Sequence, residues 1–159
     1  MTGTGSTDDR RWMRYAIDLS HACPPSRSAF SVGAVIVADG RPLAAGYSRE
    51  TDEHVHAEES ALSKVAADDP QLPRATLYST LEPCTQRRSR PHTCSELILQ
   101  SGIPRVVIAW REPSLFVTNC VGVAMLRANG IAVTELPDLA EEARAVNTHL
   151  PLATGGTGD

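Results

Sequence analysis

HAEESALSKVAA (56–67) and TLEPCTQRRSRPHTC (80–94) are the two stretches whose reading decides how this chain folds. In the first, Ala57, Ala61, Leu62, Val65 and Ala66 recur at steps of three and four, the spacing of a helical apolar stripe. His56 and Glu58 therefore belong to the first turn of a helix. The second stretch closes a strand, RATLYSTL (74–81), which Glu82-Pro83 stops because proline restricts the residue before it and cannot donate to a ladder. Cys84 then lies just past a strand end. From Ser95 the pattern ELILQSG turns helical with a glycine stop at Gly102, so Cys94 sits at or just before a second helix start.

One imidazole and two thiols are thereby brought to helix starts and a strand end, with Cys84 26 positions after Glu58 and Cys94 ten further on. A histidine nitrogen and two thiolates leave a tetrahedral Zn²⁺ one open corner, the feature that separates catalytic sites from closed structural ones. Zinc lowers the pKa of water toward about 7 in favourable sites, and a carboxylate outside the ligand set can carry the proton. His56, Cys84 and Cys94 are the expected metal ligands, and Glu58 the expected acid/base. Helix N-termini, with unpaired N–H groups and partial positive charge, favour an ionised glutamate and thiolates. The expected chemistry is hydrolytic deamination. His54 and His92 remain competing donors: either would close the site into a structural one as a fourth ligand, and His92 could stand in for Cys94. A thiol redox protein is disfavoured, since no Cys-x-x-Cys exists.

His-x-Glu opening a helix and Pro-Cys ending a strand match the zinc deaminase signature, although nine residues separate the two cysteines here where that signature has two. TLEPCTQRRSRPHTCSELILQSGIPRVVIAWREPS (80–114), VGAVIVADGRPLAAGYS (32–48) and HAEESAL resemble the riboflavin-pathway pyrimidine deaminase domain within the cytidine-deaminase-like superfamily. The resemblance runs from about residue 10 to residue 150, and the long inter-cysteine loop is its specific part. It implies a zinc deaminase of a small aminopyrimidine, homodimeric or homotetrameric, here without a reductase part. Cytidine, deoxycytidylate, cytosine and guanine are the alternative substrates. Two departures stand out. Ala29 occupies the place of a substrate-contacting asparagine, and Gln86, Arg87 and Arg88 replace the usual histidines of a loop that is one residue longer. Arg87, Arg88 and Arg90 read either as a phosphate-binding cluster or as a solvated basic loop. His92 is expected to face substrate or solvent, Glu82 to buttress the loop, and Glu112, Ser114 and Asn119 to lie at the rim.

With 159 residues, one domain is expected. A net charge of −4 gives no global pull toward nucleic acid, and seven aromatic residues provide few stacking platforms. The chain contains no 18-residue apolar run, and MTGTGSTDDRR has no signal-peptide core, so a cytoplasmic protein with no membrane partner and a small-molecule substrate is expected. Cys23 and Cys120 are then spare thiols, either simply buried or redox-sensing.

Residues 1–9 and 151–159 are expected to be disordered tails flanking a deaminase domain over 10–150. Within it, Trp12, Tyr15, Ala16, Leu19 and Ala22 give a helix, and SVGAVIV and PLAAGYS a hairpin about Ala38-Asp39-Gly40. RVVIAW (105–110) suits a strand buried on both faces. A helix over 121–128, a strand over 131–136 and a closing helix over 138–150 complete the order α-β-β-α-β-α-β-α-β-α. Right-handed crossovers and one antiparallel hairpin make this a three-layer α/β fold, helices on both faces of a five-stranded mixed sheet. Ligands in such sheets gather at carboxyl strand ends, where His56, Glu58, Cys84 and Cys94 fall.

Overall fold

The structure, a computed structural model, describes residues 5–85, 91–111 and 121–148. Its elements are α1 (Thr7–Ser20), β1 (Gly33–Ala38), β2 (Arg41–Tyr47), α2 (Ala57–Ser63), β3 (Thr76–Leu81), α3 (Cys94–Ser101), β4 (Arg105–Trp110), α4 (Gly122–Ala128), β5 (Ala132–Glu135) and α5 (Ala140–Ala145). Short 3-10 turns precede β3 and α5, at Leu72–Arg74 and Pro137–Leu139. The strands form a mixed five-stranded sheet in the order β2-β1-β3-β4-β5, with β1 antiparallel to both β2 and β3 and the remaining pairs parallel.

Alternation along the strands builds the three layers. Ala34, Ile36 and Ala38 of β1 join Leu77, Val106 and Ile108 against Ala57 and Ala61 of α2, Ile98 of α3 and Leu126 of α4. Val35 and Val37 turn the other way, with Tyr78, Val107 and Ala109, onto Trp12, Met13 and Ile17 of α1 and Ala143 of α5. β1 is buried along its whole length, whereas β2 is the half-exposed edge, blunted by Arg41 and Pro42. The hairpin turns on Asp39 (φ 53°) and Gly40 (φ 73°), the paired left-handed geometry that matches strand twist. Gly33 is required by close approach: a Cβ there would meet the Ala16 carbonyl oxygen at 1.8 Å, inside the seat of α1.

Element bounds differ from expectation in three places. Thr7–Asp9, assigned above to a disordered tail, form the first turn of α1. Ser6 caps it: the Asp9 N–H donates to Ser6 Oγ at 3.0 Å and the Ser6 N–H returns a bond to Asp9 Oδ2 at 3.0 Å. Asp9 is buried because Arg105 donates to both its carboxylate oxygens (2.9 and 2.7 Å) and the Tyr78 hydroxyl donates to Oδ1 (2.7 Å), which ties α1 to β3 and β4. The Arg105 guanidinium holds the Asp9 carboxyl well below the usual carboxylate range, and burial pushes the Tyr78 phenol up. Helix α2 stops at Ser63, before the expected residue 67; the Ser63 hydroxyl donates to the Ser60 carbonyl (2.7 Å) and Lys64 turns away to Glu50 and the Ala45 carbonyl. The closing helix is confined to Ala140–Ala145, since Pro137 opens a 3-10 turn and the chain leaves the helix for Asn147 to reach Ser31. Residues 151–159 lie outside the described residues. No described helix is long and apolar enough to cross a membrane.

Candidate active site

Beyond Leu81 the backbone of β3 keeps one more tie to β4, with the Glu82 N–H donating to the Trp110 carbonyl at 2.8 Å. Pro83 then ends the ladder and Cys84 turns inward. The buried Glu82 carboxylate accepts the Val123 N–H at 2.9 Å, satisfying an unpaired donor in the first turn of α4. Gly122 permits this approach, because a Cβ on it would lie 2.2 Å from the Pro83 carbonyl oxygen. Glu82 thus buttresses the Cys84 loop. On the far side, Thr93 caps α3 by accepting the Glu96 N–H at 3.3 Å, which makes Cys94 the first residue of that helix. The Cys94 N–H points at Cys84 Sγ (3.4 Å), the Ser95 N–H donates to the Cys84 carbonyl (3.2 Å) and the Ser95 hydroxyl to the Pro83 carbonyl (3.3 Å).

The start of α2 delivers the third member. His56 stands at its N-cap, with its own N–H donating to Glu59 Oε1 at 3.2 Å. His56 Nδ1 lies 3.7 Å from Cys84 Sγ and 3.3 Å from Cys94 Sγ, and the three donor atoms all fall within 4.8 Å of one another. Zinc bonds of 2.3 Å to sulfur and about 2.05 Å to nitrogen at a tetrahedral angle require an S···N span of about 3.6 Å. The donor set and its spacing therefore fit a tetrahedral metal with one position left over. Cys94 thiol donation and the nearby His56 hold the Cys84 thiol well below its usual range, while the Cys84 partner and burial push Cys94 up. A divalent cation bound by the three donors would take the place of the remaining thiol proton.

Glu58, one residue past the buried Ala57, faces the same cluster and is itself buried. The Ser79 hydroxyl lies 2.9 Å from both Glu58 Oε1 and the Leu81 carbonyl, so its one proton is shared between the carboxylate and the backbone of β3. Burial pushes this carboxyl up, against the opposing pull of His56. A buried carboxyl poised to take and return a proton beside a cluster of one imidazole and two thiols is suited to hydrolysis assisted by general acid–base catalysis.

His56, Glu58, Cys84 and Cys94 are brought together as expected. The competing histidines are not. His54 is exposed beside Glu53 (3.4 Å), and His92 is exposed with Nδ1 3.2 Å from Glu96 Oε2, one helical turn away. Neither belongs to the donor cluster. Ala29 is half-buried in the segment leading into β1, its N–H donating to Ser26 Oγ at 3.1 Å. Cys23 is a half-buried free thiol pushed up by burial. Arg87, Arg88 and Arg90, and also Glu112, Ser114, Asn119 and Cys120, lie outside the described residues. Ser79 and Thr93 were absent from the sequence reading. Thr-x-x-Glu at 93–96 is a recognisable cap signal, while Ser79 is one of several small polar residues in β3 and carries no signal of its own.

Residues 6–110 match the model of the cytidine and deoxycytidylate deaminase zinc-binding region. A diaminohydroxyphosphoribosylamino-pyrimidine deaminase of Schizosaccharomyces pombe is 42% identical over 126 residues, covering 78% of this chain and 31% of the relative. A protein of the same name from Buchnera aphidicola is 36% identical over 126 residues, covering 79% of this chain and 82% of the relative. The crystal structure of a Thermotoga maritima diaminohydroxyphosphoribosylaminopyrimidine deaminase/5-amino-6-(5-phosphoribosylamino)uracil reductase superposes with a TM-score of 0.76 at 35% identity, over 87% of this chain and 39% of that one. The chain thus spans about a third of the length of the first curated relative and most of the second. With residues 6–110 matched by the family model and 36% identity to a relative of which it covers 82%, the chain belongs to the cytidine and deoxycytidylate deaminase family of zinc-binding proteins.

Proposed function

We propose that this protein is a hydrolytic deaminase of a phosphorylated aminopyrimidine, with His56, Cys84 and Cys94 holding Zn²⁺ and Glu58 carrying protons. The observation that carries this reading is a buried carboxylate, Glu58, beside a nitrogen-and-two-sulfur cluster of tetrahedral span. When bound, Zn²⁺ supplies the Lewis acidity that lets water act as a nucleophile near neutral pH. Glu58 accepts a proton from that water and passes it to the ring nitrogen of the amidine. Once the water oxygen has bonded to the amidine carbon, Glu58 takes the remaining hydroxyl proton and delivers it to the departing amine, so that the C–N bond breaks, a carbonyl forms and ammonia leaves. Ser79, 2.9 Å from Glu58 Oε1, is a hydrogen-bond partner for the carboxylate. Phe30 and Leu81 belong to the same apolar core cluster as Ala57, the neighbour of both His56 and Glu58, with Trp110 packed against it.

The phosphoribosylamino-pyrimidine in the names of the relatives supports the substrate class, and Arg87, Arg88 and Arg90 supply guanidinium forks suited to phosphate. The same reading carries a deaminase unit over 10–150, a small-molecule partner only, assembly as a homodimer or homotetramer, and a cytoplasmic location. Ammonia release is measured over phosphorylated and dephosphorylated aminopyrimidines, cytosine derivatives and guanine, with zinc content determined on the same sample. Glu58→Gln keeps the metal and loses turnover by at least about 10²–10⁴-fold, the share of general acid–base help. A Gln variant with near-normal turnover removes Glu58 from the mechanism, and equal rates with and without phosphate remove the arginines from recognition.

A further inference from the structure

Arg49 is held in a conformation that non-glycine residues rarely adopt, at φ 61°. Such strain persists only where surrounding contacts over-determine it. Here they do so on two sides. Through its backbone, the Arg49 N–H donates to the Val55 carbonyl at 2.8 Å, fixing the arm that ends in His56. Through its side chain, Nε and Nη2 donate to the Pro24 carbonyl (3.0 and 2.8 Å), Nη1 to the Phe30 carbonyl (3.1 Å) and Nη2 to Ser31 Oγ (2.8 Å). One planar guanidinium therefore gathers both ends of the segment that runs from Pro24 to Ser31.

That segment has no strand partner, yet it is pinned wherever it nears the sheet. Asn147, fully buried, accepts the Ser31 N–H at 2.6 Å and donates to the Ser31 carbonyl at 3.1 Å. The Val32 N–H donates to Ser48 Oγ (2.9 Å) and the Gly33 N–H to Thr80 Oγ1 (3.2 Å). Phe30 packs in the same apolar cluster as Ala57, between His56 and Glu58, and as Leu81, three residues before Cys84. Its ring meets Trp110 edge-on at 5.3 Å. The segment is held at both ends by side chains recruited from distant parts of the chain, beside the arm that ends in His56.

We infer that Arg49 is a positioning residue for substrate recognition: it clamps the 24–31 segment against the His56 arm so that this flank is preformed for the ring to be deaminated. This rests on the deaminase reading above. Preorganised flanks lower the ordering cost of binding, so their loss is felt in substrate affinity before chemistry.

Full-length, zinc-loaded wild type, Arg49→Gln and Arg49→Lys are compared for KM and kcat on the best substrate of the ammonia-release panel, for zinc content, and for amide exchange over residues 24–32. Arg49→Gln raises KM at least tenfold with kcat within about threefold, leaves zinc unchanged and speeds exchange over 24–32. Arg49→Lys recovers only part of this, since one ammonium cannot reach Pro24 and Phe30 together. Asn147→Ala, which frees Ser31 alone, shifts KM in the same direction by less. An unchanged KM, unchanged exchange over 24–32, or a joint loss of kcat and zinc in Arg49→Gln overturns the inference. A wild type that releases no ammonia from any member of the panel overturns the deaminase reading itself, whereas an active wild type beside an unaffected variant overturns only the role of Arg49.

Discussion

Gly122→Ala tests whether the start of α4 sets the position of a metal ligand. The new Cβ lies 2.2 Å from the Pro83 carbonyl oxygen and 3.1 Å from Glu82 Cγ. Restoring an ordinary van der Waals separation demands a retreat of roughly 1 Å, by α4 or by the Pro83 loop. Either retreat stretches the Val123 N–H bond to the Glu82 carboxylate, now 2.9 Å, and moves Pro83, whose next neighbour is Cys84. Overpacking of this kind costs about 1–3 kcal/mol, and weakening a hydrogen bond to a buried carboxylate adds about 1–2 kcal/mol. A loss of about 3 kcal/mol lowers Tm by roughly 6–12 °C in a chain of this size. Metal sites tolerate ligand displacements of only about 0.2 Å, so zinc retention falls with it. Scanning calorimetry and zinc content after dialysis against a weak chelator give the two readings. A Gly122→Ala protein with wild-type Tm and a full complement of zinc refutes the coupling between α4 and Cys84.

Asp9→Asn is expected to lose about 2–3 kcal/mol at pH 7, because Arg105 and Tyr78 lose a charged, buried acceptor. Folded Asp9 resists protonation while the unfolded chain takes a proton near pH 4, so its contribution is complete above that pH and fades as the pH falls further. Urea unfolding between pH 3 and 7 therefore shows a shallower acid limb in the variant; parallel limbs contradict the assignment. His54→Ala and His92→Ala, by contrast, keep zinc and stability near wild type, since both rings are exposed and outside the donor cluster. Loss of metal in either variant, by elemental analysis, reopens the ligand set.

Much of this architecture is legible from periodicity. RVVIAW became β4 without a residue of error because a run of apolar residues packed on both faces admits few other solutions. The pairing of Asp39 with Gly40 announced the hairpin, and the proline after Glu82 put Cys84 at a strand end. What escaped is long-range and polar. Ser6 to Asp9 carry a capping-box pattern inside a stretch whose composition resembles a tail, and only the partnership of Asp9 with Arg105, 96 positions away, shows why it is ordered. Asn147 falls where the closing helix was expected to continue, and its bonds to Ser31 span 116 positions. Arg49 likewise gives no periodic signal, since its acceptors are the Pro24 and Phe30 carbonyls, of a kind every residue possesses, and one serine hydroxyl. Ser79 is visible as a strand residue but not as the partner of Glu58, which depends on how β3 registers beneath α2.

The ion pair joining Asp9 to Arg105 also bears on how far this polypeptide can be trimmed. Shortening it from the front is expected to be damaging once Ser6 is lost, because the cap, the carboxylate and the phenol it anchors fail in sequence. A cut at Arg10 strands a guanidinium and a tyrosine hydroxyl at the sheet without their counter-charge.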